Sequence, residues 1–192
     1  VIVPDRPKSD DISGIDTLEI ARSAFDQLPD DPITAFAKLE ELASLASPTM
    51  NWPTCVDPST KNGTAGAGHD LRVSAWFVRS LLRLLVDDTH DQLRLASVWP
   101  NEWIGLGVEV HGLPSRYGTV SWAVRWHGDR PAVLWEIDGG PKDLKVQVPG
   151  LDPKFQGEGC VGEELLSPVG SGIGAVDSDS ADPNTSSSGT FS

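Results

Sequence analysis

The spacing of apolar residues predicts an α-helical hairpin near the start of the chain. One helical face of the first segment comprises Leu18, Ala21, Phe25 and Leu28. Asp16, with Glu19 three residues on, is a capping pair that marks the start of this helix. Pro29 and two acids end it, and Pro32 suits the first turn of a second helix. That helix presents Phe36, Leu39, Leu42 and Leu45 on nearly one face, so a short turn joins two antiparallel helices.

A third helix is predicted after Asp70, and its apolar residues cover more than one face. One stripe comprises Leu71, Val78, Leu82 and Leu85, and it is widened by Trp76, Phe77, Leu81 and Leu84. A helix that is apolar around so much of its surface is usually deeply buried. Three such helices do not easily cover one another, which indicates that they belong to a larger helical assembly.

After Asp91 the apolar period shortens to two, which is typical of β-strands. In "GTVSWAVRWHGDR" the apolar residues Val120, Trp122 and Val124 alternate with smaller or polar ones, "HGDR" provides a turn, and "PAVLWEI" returns. This arrangement predicts a β-hairpin. Roughly five antiparallel strands are expected in this region, forming a small sheet or sandwich beside the helices.

The fold class predicted from these patterns is α+β with three segments. Residues 1–90 form the helical segment, residues 91–153 the antiparallel β segment, and residues 154–192 a flexible, acidic tail rich in Gly and Ser. From Gly170 onward the chain has few large apolar residues, so it cannot bury enough surface to offset the entropy of ordering. Residues 1–15 are polar and indicate a linker or a frayed end.

The charge balance narrows the range of partners. The 192 residues carry a net charge of −13, which repels phosphate backbones, so neither nucleic acid nor an anionic membrane is an expected partner. No apolar run is long enough to span a bilayer. Neutral ligands such as oligosaccharides or polysaccharides stay compatible with this charge. Cys55 and Cys160 are too few for a disulfide framework or a zinc cluster, and no two histidines have metal-ligand spacing, so no metal or cofactor is expected.

The segment between the second and third helices, residues 46–70, holds the candidate binding residues. It is long and rich in proline and glycine, and long ordered loops are often functional. If the loop lines a cleft, Trp52 would stack on a sugar ring while Asn51, His69 and Asp70 bond its hydroxyls. The alternative is structural, with Trp52 in the core and Asp70 capping the third helix.

Glycoside hydrolysis would need two carboxyl groups that flank one bond. The carboxylates near tryptophans are Asp57, Asp70, Glu102, Glu109 and Glu136. No spacing among them singles out a pair, and the strand alternation is expected to turn Glu109 and Glu136 outward. The catalytic residues therefore stay unassigned.

The order of these parts resembles the C-terminal end of bacterial glycoside hydrolases with an (α/α)6 barrel, of the glucoamylase and glycogen-debranching type. A helical hairpin runs into the Trp52-Pro53 loop, and "GAGHD" leads into a long helix. The tryptophan-rich stretch "VWPNEWIGLGVEVHGLPSRYGTVSWAVRWHGDRPAVLWEI" follows. The resemblance covers residues 17–152. It implies that the helices are the last hairpins of a barrel and that a β-sandwich segment follows them.

In such proteins the loop similar to residues 51–70 borders the sugar cleft, so the resemblance implies Trp52, His69 and Asp57 as lining residues. An acid commonly follows the Trp-Pro pair, whereas Thr54 stands there in this chain. The resemblance places the general acid in an upstream barrel region of the same polypeptide, so this portion would be catalytically incomplete alone. Two alternatives are a stand-alone glycan- or protein-binding module and a non-catalytic structural relative, which Thr54 favours.

Overall fold

A computed structural model describes residues 14–169 as a helical layer followed by two four-stranded β-sheets. The helices are α1 (Thr17–Gln27), α2 (Pro32–Ser44) and α3 (Leu71–Leu85). The predicted α+β class is therefore confirmed. Of residues 1–15, predicted as a linker or frayed end, residues 1–13 lie outside the described residues, whereas Ile15 lies in a β-strand. Residues 170–192 of the predicted tail also lie outside them.

The starts of the helices follow the capping signals in the sequence. The carboxylate of Asp16 accepts hydrogen bonds from the backbone N–H groups of Leu18 and Glu19, at 2.9 and 3.1 Å. Asp31 accepts one from the N–H of Thr34 at 3.0 Å, directly before the proline that opens α2. Each bond satisfies a backbone donor that has no partner inside its helix. A short turn joins α1 to α2, and Ala24 of α1 shares a buried cluster with Ala35 and Leu39 of α2, so the predicted hairpin is confirmed.

The deep burial predicted for α3 is wrong for one face of the helix. Val73, Ser80 and Leu84 are buried, and Val73 and Leu84 share clusters with residues of α1 and α2. Leu71 and Val78, on the opposite face, are 72% and 52% exposed. Within residues 14–169, the elements that pack on α3 therefore leave part of its apolar surface exposed.

A small antiparallel sheet, which the sequence did not predict, ties the long loop to the start of α1. Its strands are β1 (Ile15–Asp16), β2 (Cys55–Val56) and β3 (Gly63–Ala65), with β2 in the centre. The hydroxyl of Thr17 adds a hydrogen bond to the carbonyl oxygen of Pro53 at 2.7 Å. The loop is therefore fixed to the helical layer at both of its ends and in its middle.

The second half of the described chain is a β-sandwich. Its strands are β4 (Val86–Asp87), β5 (Leu93–Leu95), β6 (Val108–Ser115), β7 (Gly118–His127), β8 (Arg130–Asp138), β9 (Lys145–Val148), β10 (Asp152–Glu158) and β11 (Val161–Leu165). One sheet has the order β10-β9-β5-β4 and the other β11-β8-β7-β6. All pairings are antiparallel except that of β5 with β9, which is parallel. Buried side chains from both sheets share one core, so the sheets pack face to face.

The predicted hairpin is confirmed as the central pair β7–β8. Trp122 lies opposite Trp135 and Val124 opposite Val133, and all four side chains are buried. Most of the tryptophans are core residues, as expected from the large apolar area that this side chain buries. Trp103 is the most exposed of them, at 38%.

The β segment extends to residue 165 rather than 153. β11 and most of β10 lie in residues predicted to belong to the flexible tail, and β11 pairs with β8 from Val161 opposite Glu136 to Leu165 opposite Ala132. Glycines in these strands make room for the Trp135 ring. A Cβ atom at Gly162 would lie 2.1 Å from that ring, and one at Gly157 would lie 2.8 Å from it.

We expect Gly162→Ala to lower the free energy of unfolding by about 2 kcal/mol, because an added methyl overpacks a buried site. Gly68→Ala is the control, since a Cβ there would meet no atom within 4 Å. It should change stability by less than about 0.5 kcal/mol. Urea denaturation measures both, and equal losses would contradict the packing of Trp135 against β11.

Candidate functional site

Trp52, the residue predicted to stack on a sugar, is built into the helical core. It is 1% exposed, and its ring centre lies 4.9 Å from that of Phe77 in α3. Its indole N–H donates a 2.6 Å hydrogen bond to the carbonyl oxygen of Leu42, in the last turn of α2. The same oxygen also accepts from the backbone N–H of Leu45 at 3.1 Å, so the indole adds a second hydrogen bond at the C-terminal end of α2. This placement corrects the predicted cleft-lining role and agrees with the structural alternative.

Asp70 caps α3 and is engaged on both carboxylate oxygens. Oδ1 accepts hydrogen bonds from the N–H and Nε of Arg72, at 3.0 and 2.9 Å. Oδ2 accepts from Nη2 of Arg72 at 2.6 Å and from the hydroxyl of Thr54 at 3.1 Å. The hydrogen bonds from Arg72 hold the pKa of this carboxyl well below its usual range, although burial acts in the opposite direction. Asp70 is ionised at neutral pH and has no proton to donate as a general acid.

Thr54, at the position where the resemblance would place an acid, connects the loop to the helix start. Its backbone N–H donates to the carbonyl oxygen of Ala67 at 3.0 Å, and its hydroxyl oxygen accepts from the N–H of Ala67 at 3.1 Å. The same hydroxyl donates to Asp70. An acidic side chain here would set two carboxylates against each other. Thr54 thus serves the structure of the loop.

Asp57 and His69 do not join Trp52 and Asp70 in a common site. Asp57 closes a turn, accepting hydrogen bonds from the N–H groups of Ser59 and Thr60 at 2.8 and 3.1 Å. The hydroxyl of Ser59 is the main cause of the lowered pKa of this carboxyl. His69 is exposed. Trp52 and Asp70 are joined by a 2.7 Å backbone hydrogen bond, while neither Asp57 nor His69 is bonded to them in the part of the chain that is described.

The remaining candidate carboxylates face solvent. Glu109 and Glu136 lie on the outer face of the sandwich, as predicted, and Glu109 contacts His111 at 3.3 Å. Glu102 is exposed in a short 3₁₀ turn. Residues 14–169 contain no group of three or more side chains suited to hold a metal ion. The described carboxylates therefore form no pair around a shared cleft.

Two surface depressions occur near the helical layer. The larger, about 550 Å³, is bordered only by residues of α1 and its cap, so it is a groove along one helix. The smaller, about 410 Å³, is bordered by Asp57 and by Gly14, Ile15, Pro58 and Ser59. Asp57 is the only predicted binding residue that borders either of these two depressions.

The outward face of α3 is the surface feature that stands out. It carries an uninterrupted apolar row, which we call the α3 seam: Leu71, Ala75, Val78 and Leu82. All four residues are exposed, Leu82 by 41%. Successive members are four, three and four residues apart, which is the spacing at which helices interlock. Leu71, Val78 and Leu82 belong to the stripe predicted to be buried, because helical spacing alone does not reveal what covers a stripe.

Asp87, which was not among the predicted site residues, connects the C-terminal end of α3 to the sandwich. It is 3% exposed, and Oδ1 accepts hydrogen bonds from Nε of Arg83 at 3.2 Å and from the hydroxyl of Thr89 at 2.6 Å. Burial acts to raise the pKa of this carboxyl, but the bonds from Thr89 and the charge of Arg83 outweigh burial and lower it. The spacing of four between Arg83 and Asp87 was the available signal.

The comparisons with known proteins add no family to this description: the chain matches no protein-family model, and neither curated proteins nor solved structures give a significant match. Within residues 14–169, no helix has both the length and the apolar character needed to cross a membrane.

The ion pair of Asp70 predicts a loss of stability in acid. Because the folded pKa is depressed, the contribution of Asp70 is complete above its usual pKa of about 3.9 and is lost as pH falls towards the folded value. We expect Asp70→Asn to cost about 2 kcal/mol at pH 7 and clearly less at pH 3. Urea denaturation at both pH values measures this difference. Asp138→Asn, at an exposed position of β8, is the control. A cost for Asp70→Asn that is independent of pH would contradict the ion pair.

Proposed function

We propose that this chain is a non-catalytic portion of a carbohydrate-processing protein, and that its helical layer docks against further helices along the α3 seam. The observation that carries the proposal is the exposure of the seam, where Leu71 is 72% and Val78 52% exposed. A contiguous apolar row in contact with water is unfavourable, and such rows mark interaction surfaces.

The environment of the acidic side chains supports a non-catalytic role. Asp70 is ionised and held by Arg72, Asp57 closes its own turn, and Glu109 and Glu136 face solvent. Hydrolysis of a glycosidic bond needs one protonated acid and a second carboxylate across a cleft. None of these four residues meets that description.

The link to carbohydrates rests on the resemblance to (α/α)6-barrel hydrolases. In favour of it, α1, α2, the Trp52 loop and α3 precede a β-sandwich in the chain, in the order that the resemblance implies. In this proposal, barrel hairpins from an upstream region of the same polypeptide supply the helices that cover the seam. An oligosaccharide or polysaccharide would be bound by the whole assembly.

A glycan-binding surface on the sandwich side is the second candidate, and Trp103 favours it. Its ring is 38% exposed and packs edge-on against Trp99, with 5.7 Å between ring centres. Ile104 and Leu106 beside it are also exposed. A supported aromatic ring among apolar neighbours can stack on a sugar.

The docking function is tested with a synthetic helical peptide that has leucine at its seam positions and glutamine on its flanks. A fluorescently labelled peptide at nanomolar concentration avoids self-association, and its anisotropy reports binding to the full chain. We expect a Kd on the order of 10–100 μM. A peptide with alanine at the seam positions is the control. Equal signals from both peptides would overturn the docking function.

A further inference from the structure

We propose that the helix docking on the α3 seam carries acidic residues along the flank that faces Arg72 and Arg79. This inference rests on the proposed docking function and adds the chemistry of the partner. The arginines are seven residues apart, and each follows a seam residue, Leu71 or Val78, by one position. They therefore lie on the same side of the seam, where flanking charges select the partner helix in coiled coils.

The charge of α3 differs from that of the rest of the chain. The helix contains three arginines and no acidic residue, in a chain with a net charge of −13. Arg83 is largely covered and paired with Asp87. Arg72 and Arg79 are exposed, and since Arg72 is paired with Asp70, the positive charge beside the seam comes mainly from Arg79.

The guanidinium of Arg79 is positioned by two aromatic rings and forms no ion pair within the described residues. Its guanidinium lies 4.8 Å from the centre of the Trp76 ring and 4.9 Å from that of Phe25, which restricts its movement. Within the described residues no carboxylate lies within 4.0 Å of it. The planar guanidinium suits a carboxylate from a partner. Arg72 is bonded to Asp70 through Nε and Nη2, which offsets its charge, but its side chain stays 66% exposed on the same side of the seam.

A second copy of this chain is a poor partner for the seam, because it could not place carboxylates next to Arg72 and Arg79. Two antiparallel α3 helices related by a two-fold axis would bring the same flanks together, so Arg72 and Arg79 would face arginines of the other copy. Two parallel α3 helices would set the arginines against Ser74 and Leu81, which carry no charge. Neither arrangement supplies a carboxylate, whereas a different helix with glutamates on one flank does.

The test compares three peptides that share a leucine seam and differ in their flanks, which carry glutamate, glutamine or lysine. Binding of each labelled peptide to the full chain is followed by anisotropy at low and high salt. We expect the glutamate peptide to bind about fivefold more tightly than the glutamine peptide, and the lysine peptide more weakly than both. Added salt should reduce these differences.

Arg79→Glu should reverse the preference, and Arg79→Gln should remove most of it without adding a negative charge. The second variant keeps the test decisive if the first folds poorly. Arg125→Glu is the matched control, since Arg125 is an exposed arginine on the outer face of β7, away from the seam. It should leave the order of the three peptides unchanged.

The outcomes separate this inference from the docking function. Equal binding of all three peptides overturns the acidic partner but leaves docking intact, whereas binding of none overturns both. If the full chain sediments as a dimer that Val78→Glu dissociates, a second copy occupies the seam and the inference fails. It also fails if a synthetic peptide of residues 170–192 displaces the glutamate peptide, because the occupant would then be a segment of this chain.

Discussion

Trp52→Ala is expected to lower the free energy of unfolding by about 4 kcal/mol. The ring is 1% exposed and packs on Phe77, so its removal leaves a cavity among α2, the loop and α3. The substitution also removes the hydrogen bond to the carbonyl oxygen of Leu42. Urea denaturation followed by circular dichroism measures the change without relying on tryptophan fluorescence.

Two further variants separate the contributions to this loss. Trp52→Phe keeps an aromatic ring but loses the hydrogen bond, and should cost about 1–2 kcal/mol less than the alanine variant. Trp103→Ala is the control at a partly exposed ring and should cost about 1 kcal/mol. A Trp52→Ala protein of normal stability that loses affinity for oligosaccharides would contradict the structural role and restore the sugar-stacking prediction.

Val73→Glu and Val78→Glu should have opposite outcomes although they lie on one helix. Val73 is 0% exposed, so a glutamate there buries a charge without a partner and should cost more than about 4 kcal/mol. Val78 is 52% exposed, and glutamate is the better helix former, so stability should stay within about 0.5 kcal/mol of the wild type. Thermal unfolding of both variants measures the contrast.

A large loss for Val78→Glu in the isolated chain would mean that something already covers the seam, either a second copy or a segment of the chain itself. Sedimentation of the wild type at several concentrations distinguishes these two cases. A small loss for Val73→Glu would contradict the packing of α3 on the α1–α2 hairpin.

Local signals in the sequence were sufficient for the helices and for the central hairpin. Asp16 and Pro32 mark helix starts by their own side-chain chemistry, and the alternation from Val120 to Trp126 matches the pleat of β7. These features depend on neighbours within a few residues. The role of Asp70 as a helix cap was one of two alternatives for the same reason.

The burial of Trp52, the strand β11 and the exposure of the α3 stripe could not be predicted, because they depend on contacts between distant parts of the chain. Whether Trp52 faces inward or outward is decided by Leu42 and Phe77, which no local pattern connects to it. β11 has a glycine at its second position and an exposed surface, so it lacks the usual strand signal, and its pairing with β8 spans about 30 residues of chain. The stripe on α3 was visible, but periodicity does not distinguish a buried stripe from an uncovered one.

In the candidate site, too, local signals predicted one part and distant contacts determined the rest. Arg72 and Thr54 engage both oxygens of Asp70, and this arrangement determines its charge and removes it from acid catalysis. Thr54 is 16 residues from Asp70 in the chain, so its contribution could not be predicted from spacing. The predicted binding residues Trp52 and Asp70 thus have structural roles, and the outward face of α3 is the better candidate for a binding surface.

The most direct test of the docking function is the affinity of the Val78→Glu chain for the leucine-seam peptide with glutamine flanks, measured together with its melting temperature. We predict a loss of at least about tenfold in affinity, because a charge in the centre of the seam must be desolvated on docking, with an unchanged melting temperature. Affinity equal to that of the wild type would show that the peptide does not bind at the α3 seam and would contradict the proposed function.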